Sequence, residues 1–175
     1  DCGPGNALID DRVLSVTGQR YDKDGDIAKS GNVQGELLSK WMAHPYFSHR
    51  PPKSLDRDAW AVQQDVAGLQ FEDAIATLTA FTVSAIVQGA SHFLNPAQQW
   101  YVTGGGRLNK SMMDGLSKAL GVPVQPVDVL GWNGDALEAE GFAYMAVRSL
   151  LDLPISFPTT TGVKKAMTGG KEAIV

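Results

Sequence analysis

An α/β fold, rich in helix and holding a small parallel sheet, is what this sequence predicts, on three observations. The β-branched and aromatic run Trp100-Tyr101-Val102-Thr103 leads straight into Gly104-Gly105-Gly106. A helical pattern carrying Met112, Met113, Leu116 and Leu120 follows it, and alternating valines return between Val122 and Val129. Strand, glycine turn, helix and strand in that order are the grammar of a parallel layer. Two strands make a poor sheet by themselves, so part of the sheet is expected to lie outside this sequence. A chain of 175 residues otherwise suits one domain with a buried core.

The elements follow in chain order. Asp1-Cys2-Gly3-Pro4-Gly5-Asn6 has no initiator Met and reads as a turn from an earlier strand into a helix, so the chain is expected to begin inside a larger protein. The spacing of Leu8, Val13 and Leu14 predicts that helix over residues 7–16. Residues 21–31 are rich in Asp, Lys and Gly and are expected to be loop. Leu37, Leu38, Trp41 and Met42 give residues 36–43 one apolar helical face. His44-Pro45 ends it, because the residue before proline is pushed out of the α region; residues 46–58, with Pro51-Pro52, should form an ordered irregular connection.

A long apolar-periodic helix is predicted from Phe71 to about Leu94, through Ile75, Leu78, Thr82 and Ile86. The strand at 100–103 is read as buried, and that at 122–129, broken by Pro123 and Pro126, as an edge or terminal strand. Residues 136–151 are helical by pattern, and residues 154–175 mostly irregular.

Composition narrows the function classes. A net charge of −4 gives no broad basic field for nucleic acid or anionic membrane. No stretch is read as approaching the roughly 20 apolar residues needed to span a bilayer. Cys2 is the only cysteine, which excludes an internal disulfide and a cysteine metal cluster and fits a reducing, cytoplasmic setting. His44, His49 and His92 have no metal-ligand spacing and are read as polar surface or capping groups. Asp22-Lys23-Asp24-Gly25-Asp26 is similar to a calcium loop, but Ile27 and Val33 stand where an EF-hand needs Gly and Glu. No metal site is expected.

Four groups of residues could carry chemistry. Gly104-Gly105-Gly106-Arg107-Leu108-Asn109, between strand and helix, lets bare backbone approach a nucleotide, or is a tight turn. Asp1, before a Gly-Pro-Gly turn, is a candidate general base or a capping aspartate. Glu138, near a helix start, could assist it or simply favour the helix dipole. Lys53 and Arg57, in the stiff segment Pro51-Pro52-Lys53-Ser54-Leu55-Asp56-Arg57, could point cations at a carboxylate or phosphate, or lie in a solvated loop.

These blocks, together with Tyr21-Asp22-Lys23-Asp24-Gly25, His44-Pro45-Tyr46-Phe47, Asp135-Ala136-Leu137-Glu138-Ala139 and Leu153-Pro154-Ile155-Ser156-Phe157-Pro158, resemble anhydro-N-acetylmuramic acid kinases in the right order over almost the whole chain. The resemblance implies the ribonuclease H-like, actin-like ATPase fold of sugar kinases, actin and Hsp70, with residues 1–175 as most of the C-terminal lobe. The family's opening phosphate loop, its second glycine-rich phosphate segment and the first strands of this lobe have no counterpart in the sequence. The activity implied is ATP-dependent conversion of 1,6-anhydro-N-acetylmuramic acid, with water, to N-acetylmuramic acid 6-phosphate in cell-wall recycling.

By the same resemblance Asp1 is the base and Glu138 its helper. Gly104, Gly105, Gly106 and Asn109 contact the adenosine side of ATP, Mg2+ bridges the phosphates, and Lys53 and Arg57 are candidates for the sugar pocket. The expected partners are the sugar, ATP, and the missing N-terminal lobe or a second copy; neither nucleic acid nor membrane is expected. The competing reading is a non-catalytic ligand-binding or self-associating lobe, in which Asp1 is a terminal acid and the glycine loop only a turn.

Overall fold

The computed structural model describes residues 1–173 and is an α/β arrangement of helices with a small parallel sheet. Helix α1 (Ala7–Thr17) stops at Gly18, whose left-handed φ of 73° lets its N–H close on Leu14 O. Helices α2 (Asp26–Ser30) and α3 (Gly35–Met42) follow, then α4 (Phe71–Ala90), strand β1 (Trp100–Val102), α5 (Lys110–Leu120), strand β2 (Val124–Pro126), α6 (Leu137–Leu150) and the short α7 (Pro158–Thr161). The predicted helices at 7–16, 36–43 and 136–151 are thus found within a residue or two of their expected ends.

Three expectations about elements are corrected. Residues 21–31 are not all loop: the Asp22 carboxylate accepts the N–H groups of Ile27 and Ala28 at 3.0 Å, which starts α2. Helix α4 ends at Ala90 rather than near Leu94, because Ser91, His92 and Phe93 close a tighter turn onto Gln88, Gly89 and Ala90. Strand β1 is not fully buried: Tyr101 is exposed, since a two-stranded sheet leaves one face open.

Helix α4 is the axis of the core. Helices α1, α2, α3 and α5 all pack against it, and Ala74, Ile75, Leu78 and Phe81 are buried along it. Contrary to the sequence reading, α4 is long and apolar enough to cross a membrane by length and composition. Half of that stretch is buried inside the chain, and two of its buried threonines are paired: Thr77 Oγ1 donates to Asp73 O and Thr82 Oγ1 to Gly5 O, both at 2.6 Å, whereas the buried Thr79 Oγ1 has no partner among the described residues. Thr82 thereby ties the Gly-Pro-Gly turn to the core helix.

The connection after α3 is irregular, as expected, but pinned by rings. Phe47 stacks on Trp60 at 5.4 Å, and both pack edge-on to Phe81, with Trp41 beside them. Strands β1 and β2 run parallel, pairing Trp100 with Val124 and Val102 with Pro126, and α5 crosses between them. Beyond α6 the chain is largely irregular, with α7 and an antiparallel bridge between Ser156 and Met167; residues 174 and 175, the end of the segment read as irregular, lie outside the described residues.

Candidate functional site

The turn before α1 holds Asp1 against the proline-rich connection. Its backbone nitrogen donates to Lys53 O at 2.7 Å, and Tyr46 Oη donates to Asp1 O at 2.6 Å. Lys53 Nζ donates to Tyr46 O at 2.9 Å and lies 4.3 Å over the Tyr46 ring. Among the described residues the Asp1 carboxylate accepts only a long bond from Leu55 N–H, 3.4 Å, and it is exposed, so it keeps lone pairs for a proton. Asp1 and Lys53 are therefore brought together. Arg57 is drawn elsewhere: its guanidinium pairs closely with Asp11 on α1 and, at 3.6 Å, with Asp58.

The glycine loop is rigidly held by a residue the sequence reading passed over. Gly104 adopts a left-handed φ of 67° and its N–H donates to Gly134 O at 3.0 Å. The Arg107 side chain, 5% exposed, donates to Asp128 at 2.8 Å, to Asp135 at 2.7 Å and to Gly104 O at 3.0 Å. One planar fork thus fastens the loop to the turn after β2 and to the start of α6. Arg107 depresses the carboxyls of both aspartates by hydrogen bonding. Gly134 is obligatory there, because a Cβ would stand 2.2 Å from Arg107 Nε. The signal available in the sequence was a lone arginine inside a glycine loop with two aspartates downstream.

Asn109 closes the loop as the cap of α5, its Oδ1 accepting Met112 N–H at 2.9 Å. Gly105, Leu108 and Asn109 line one wall of a cavity of about 260 Å³ whose other walls come from α1 and the Asp22–Asp24 turn. In it, Asp22 is committed to α2 and Asp24 pairs with Lys110 at 3.4 Å. Asn6 Oδ1 is buried without a hydrogen-bond partner among the described residues. Burial, with the Asp11 charge next and a smaller contribution from Asp22, pushes the Asp10 carboxyl up to about 6, against the pull of Arg57. Neither Asn6 nor Asp10 stood out in the sequence, since each reads as an ordinary first-turn polar residue.

Glu138 sits exposed on the first turn of α6. Among the described residues no hydrogen bond or ion pair joins it to Asp1, whose polar contacts run to Tyr46, Lys53 and Leu55. His44 acts as a cap, Nδ1 accepting Tyr46 N–H at 3.2 Å, and His49 is exposed; both agree with the expectation. His92 departs from it, since its Nε2 is buried without a hydrogen-bond partner among the described residues. Among the described residues no cluster of three or more His, Cys, Asp or Glu is arranged to hold a metal ion.

Comparison with known proteins agrees with the resemblance read from the motifs. The family described as anhydro-N-acetylmuramic acid kinase matches residues 1–173. Proteins of that name are similar to this chain: one from Paramagnetospirillum magneticum is 48% identical over 99% of this chain and 50% of its own length. One from Rhodospirillum rubrum is 46% identical over 97% and 45%, and one from Zymomonas mobilis 48% identical over 98% and 47%. The chain spans about half the length of these relatives. With its motifs matched in order across residues 1–173, the chain belongs to the anhydro-N-acetylmuramic acid kinase family.

Proposed function

We propose that residues 1–175 are the C-terminal lobe of a ribonuclease H-like, actin-like kinase that turns 1,6-anhydro-N-acetylmuramic acid, water and ATP into N-acetylmuramic acid 6-phosphate and ADP. The observation that carries this reading is the meeting of the clamped Gly104–Asn109 loop with α1 at one cavity, five residues along the chain from a carboxylate that keeps free lone pairs.

Asp1 takes a proton from the attacking water, which adds to the anomeric carbon. The bridging bond from that carbon to O6 breaks, and O6 accepts the γ-phosphoryl group. Glu138 assists by the family pattern once the lobes meet. Gly104, Gly105, Gly106 and Asn109 take the adenosine side of ATP: Gly105 and Asn109 line the cavity, with Leu108 and Ile9 as its apolar walls and Asn6 as an unpartnered acceptor. Mg2+ would arrive with the phosphates of ATP and supply charge neutralisation during the transfer. Lys53, already beside Asp1, is the stronger sugar-pocket candidate; Arg57, paired with Asp11, is the weaker. An ATP-consuming reaction suits the cytoplasm.

The test is phosphorylation of the anhydro-sugar with Mg-ATP by this chain alone and by a chain restored to the full family length. Turnover is expected only in the restored chain, and Asp1→Asn should lower its kcat by at least about 100-fold, the scale of a lost general base. Unchanged kcat in Asp1→Asn removes Asp1 from the mechanism. The second reading, a self-associating lobe without catalysis, is favoured by the exposed apolar side of α6; it predicts no turnover in either chain.

A further inference from the structure

Arg107 is a buried cation that the proposed reaction does not use. Of the glycine loop, Gly105, Leu108 and Asn109 line the nucleotide cavity, and Arg107 does not. Its guanidinium turns instead to three acceptors on three segments: Gly104 O in the loop, Asp128 after β2 and Asp135 before α6. Burying a guanidinium is costly unless its acceptors are well placed, so this arrangement fixes the three segments to one point.

The corner at 133–135 is where the loop meets α6. Gly134 O accepts Gly104 N–H at 3.0 Å and the Thr103 hydroxyl at 3.1 Å, while Asn133 Oδ1 accepts Asp135 N–H at 3.0 Å. Glu138 lies on the first turn of α6, directly after this corner. The helix buries no residue of its own. Its far end is held separately, by Arg148 Nε donating to Pro154 O at 2.7 Å and by Ser149 bonding Gly169 O, both in the return segment, residues 154–172. The first turn of α6 therefore takes its place from the glycine loop, through Arg107 and Gly134.

We infer that Arg107 is a positioning residue, which ties the nucleotide loop and the first turn of α6 into one body so that a nucleotide on the loop and the Glu138 carboxylate keep a fixed distance and orientation. The inference rests on the kinase reading of this site and adds to it a residue that touches neither ATP nor sugar. The fork suits arginine: Nε faces Asp128 while Nη1 faces Asp135 and Gly104 O. A lysine, with one ammonium on a flexible stem, cannot hold both carboxylates in a fixed plane. A misplacement of about 1 Å caused far from the reacting atoms can cost roughly 100-fold in rate, so a tie that makes no contact with substrate still reaches kcat.

The test is steady-state kinetics in a chain restored to the full family length, with kcat and KM measured for Mg-ATP and for the anhydro-sugar. Arg107→Lys should lower kcat at least about tenfold and leave the KM for the sugar within about twofold. Asp135→Ala should do the same; its side chain is 75% exposed, so the change breaks the tie without hollowing the core. In a Glu138→Gln background both substitutions should cost less than about a further twofold, because the carboxylate whose place they set is gone. Losses that multiply, or an Asp135→Ala kcat equal to the parent's, overturn the inference. If the restored parent does not turn over, the kinase reading falls, and amide hydrogen exchange in this chain decides the tie by itself. Arg107→Lys should speed exchange at 104–109 and at 134–138 together, by at least about tenfold, with α4 unchanged; parent-like exchange at either segment overturns it.

Discussion

Asp10 shows how a single side chain can be at odds with the stability of its own fold. Its carboxyl is held near 6 chiefly by burial and then by Asp11, against an unfolded value of about 4. Between those values the native state keeps the proton that the unfolded chain has lost, so stability falls as pH rises from about 4 to about 6 and is level beyond. Asp10→Asn removes that loss. After discounting for the solvent on its open side, the variant should be more stable than the parent by on the order of 1 kcal/mol at pH 7.5 and nearly equal to it at pH 4. Urea unfolding at the two pH values decides it; a gain independent of pH would mean that Asp10 titrates as an ordinary aspartate. Little of this was legible in the sequence, because the cavity that half-buries Asp10 is assembled from three separated segments. The turns at Asp1 and at the glycine loop were legible, because their glycines and proline are neighbours in the chain. Arg107 was not, since its partners lie 21 and 28 residues away and nothing local marks Asp128 and Asp135 as its acceptors.

The helices were the readable elements, because period and caps lie within one segment: Leu37, Leu38, Trp41 and Met42 face the core of α3, and Asn109 and Gly121 bound α5. Helix α2 was missed for a stated physical reason. Five residues of mixed charge carry no amphipathic period, and the element exists because Asp22, buried at 5% exposure, reaches forward to two N–H groups. Asp22→Ala leaves both donors without their carboxylate. It should cost roughly 2 kcal/mol, read as a lower urea midpoint with an unchanged slope. A change below about 0.5 kcal/mol, the range of an ordinary surface substitution, would mean that α2 is held by its packing on α4 and α5 alone. The partial exposure of β1 was also beyond the sequence, since its β-branched and aromatic residues suit an open two-stranded edge as well as a covered sheet.

Across the whole molecule, burial is divided unevenly, and local stability should follow it. Helix α4 lies at the centre with ten residues buried, including Ile75, Thr77 and Phe81, and its amides can exchange only when the domain opens. Helix α6 has no buried residue and is tethered by Arg107 to Asp135 at one end and by Arg148 and Ser149 to the return segment at the other. Ties at the two ends position a helix but do not shield its middle. In this chain alone, amide hydrogen exchange should therefore be slowest in α4 and fast through 140–147. In a chain restored to the full family length, exchange there should slow by at least tenfold while α4 stays governed by global unfolding, because covering the exposed apolar residues removes water from the amides beneath them. If α6 is already as protected as α4 in the isolated chain, then its end ties suffice to order it, and the exposed apolar residues are not what the fold leaves for a partner to stabilise.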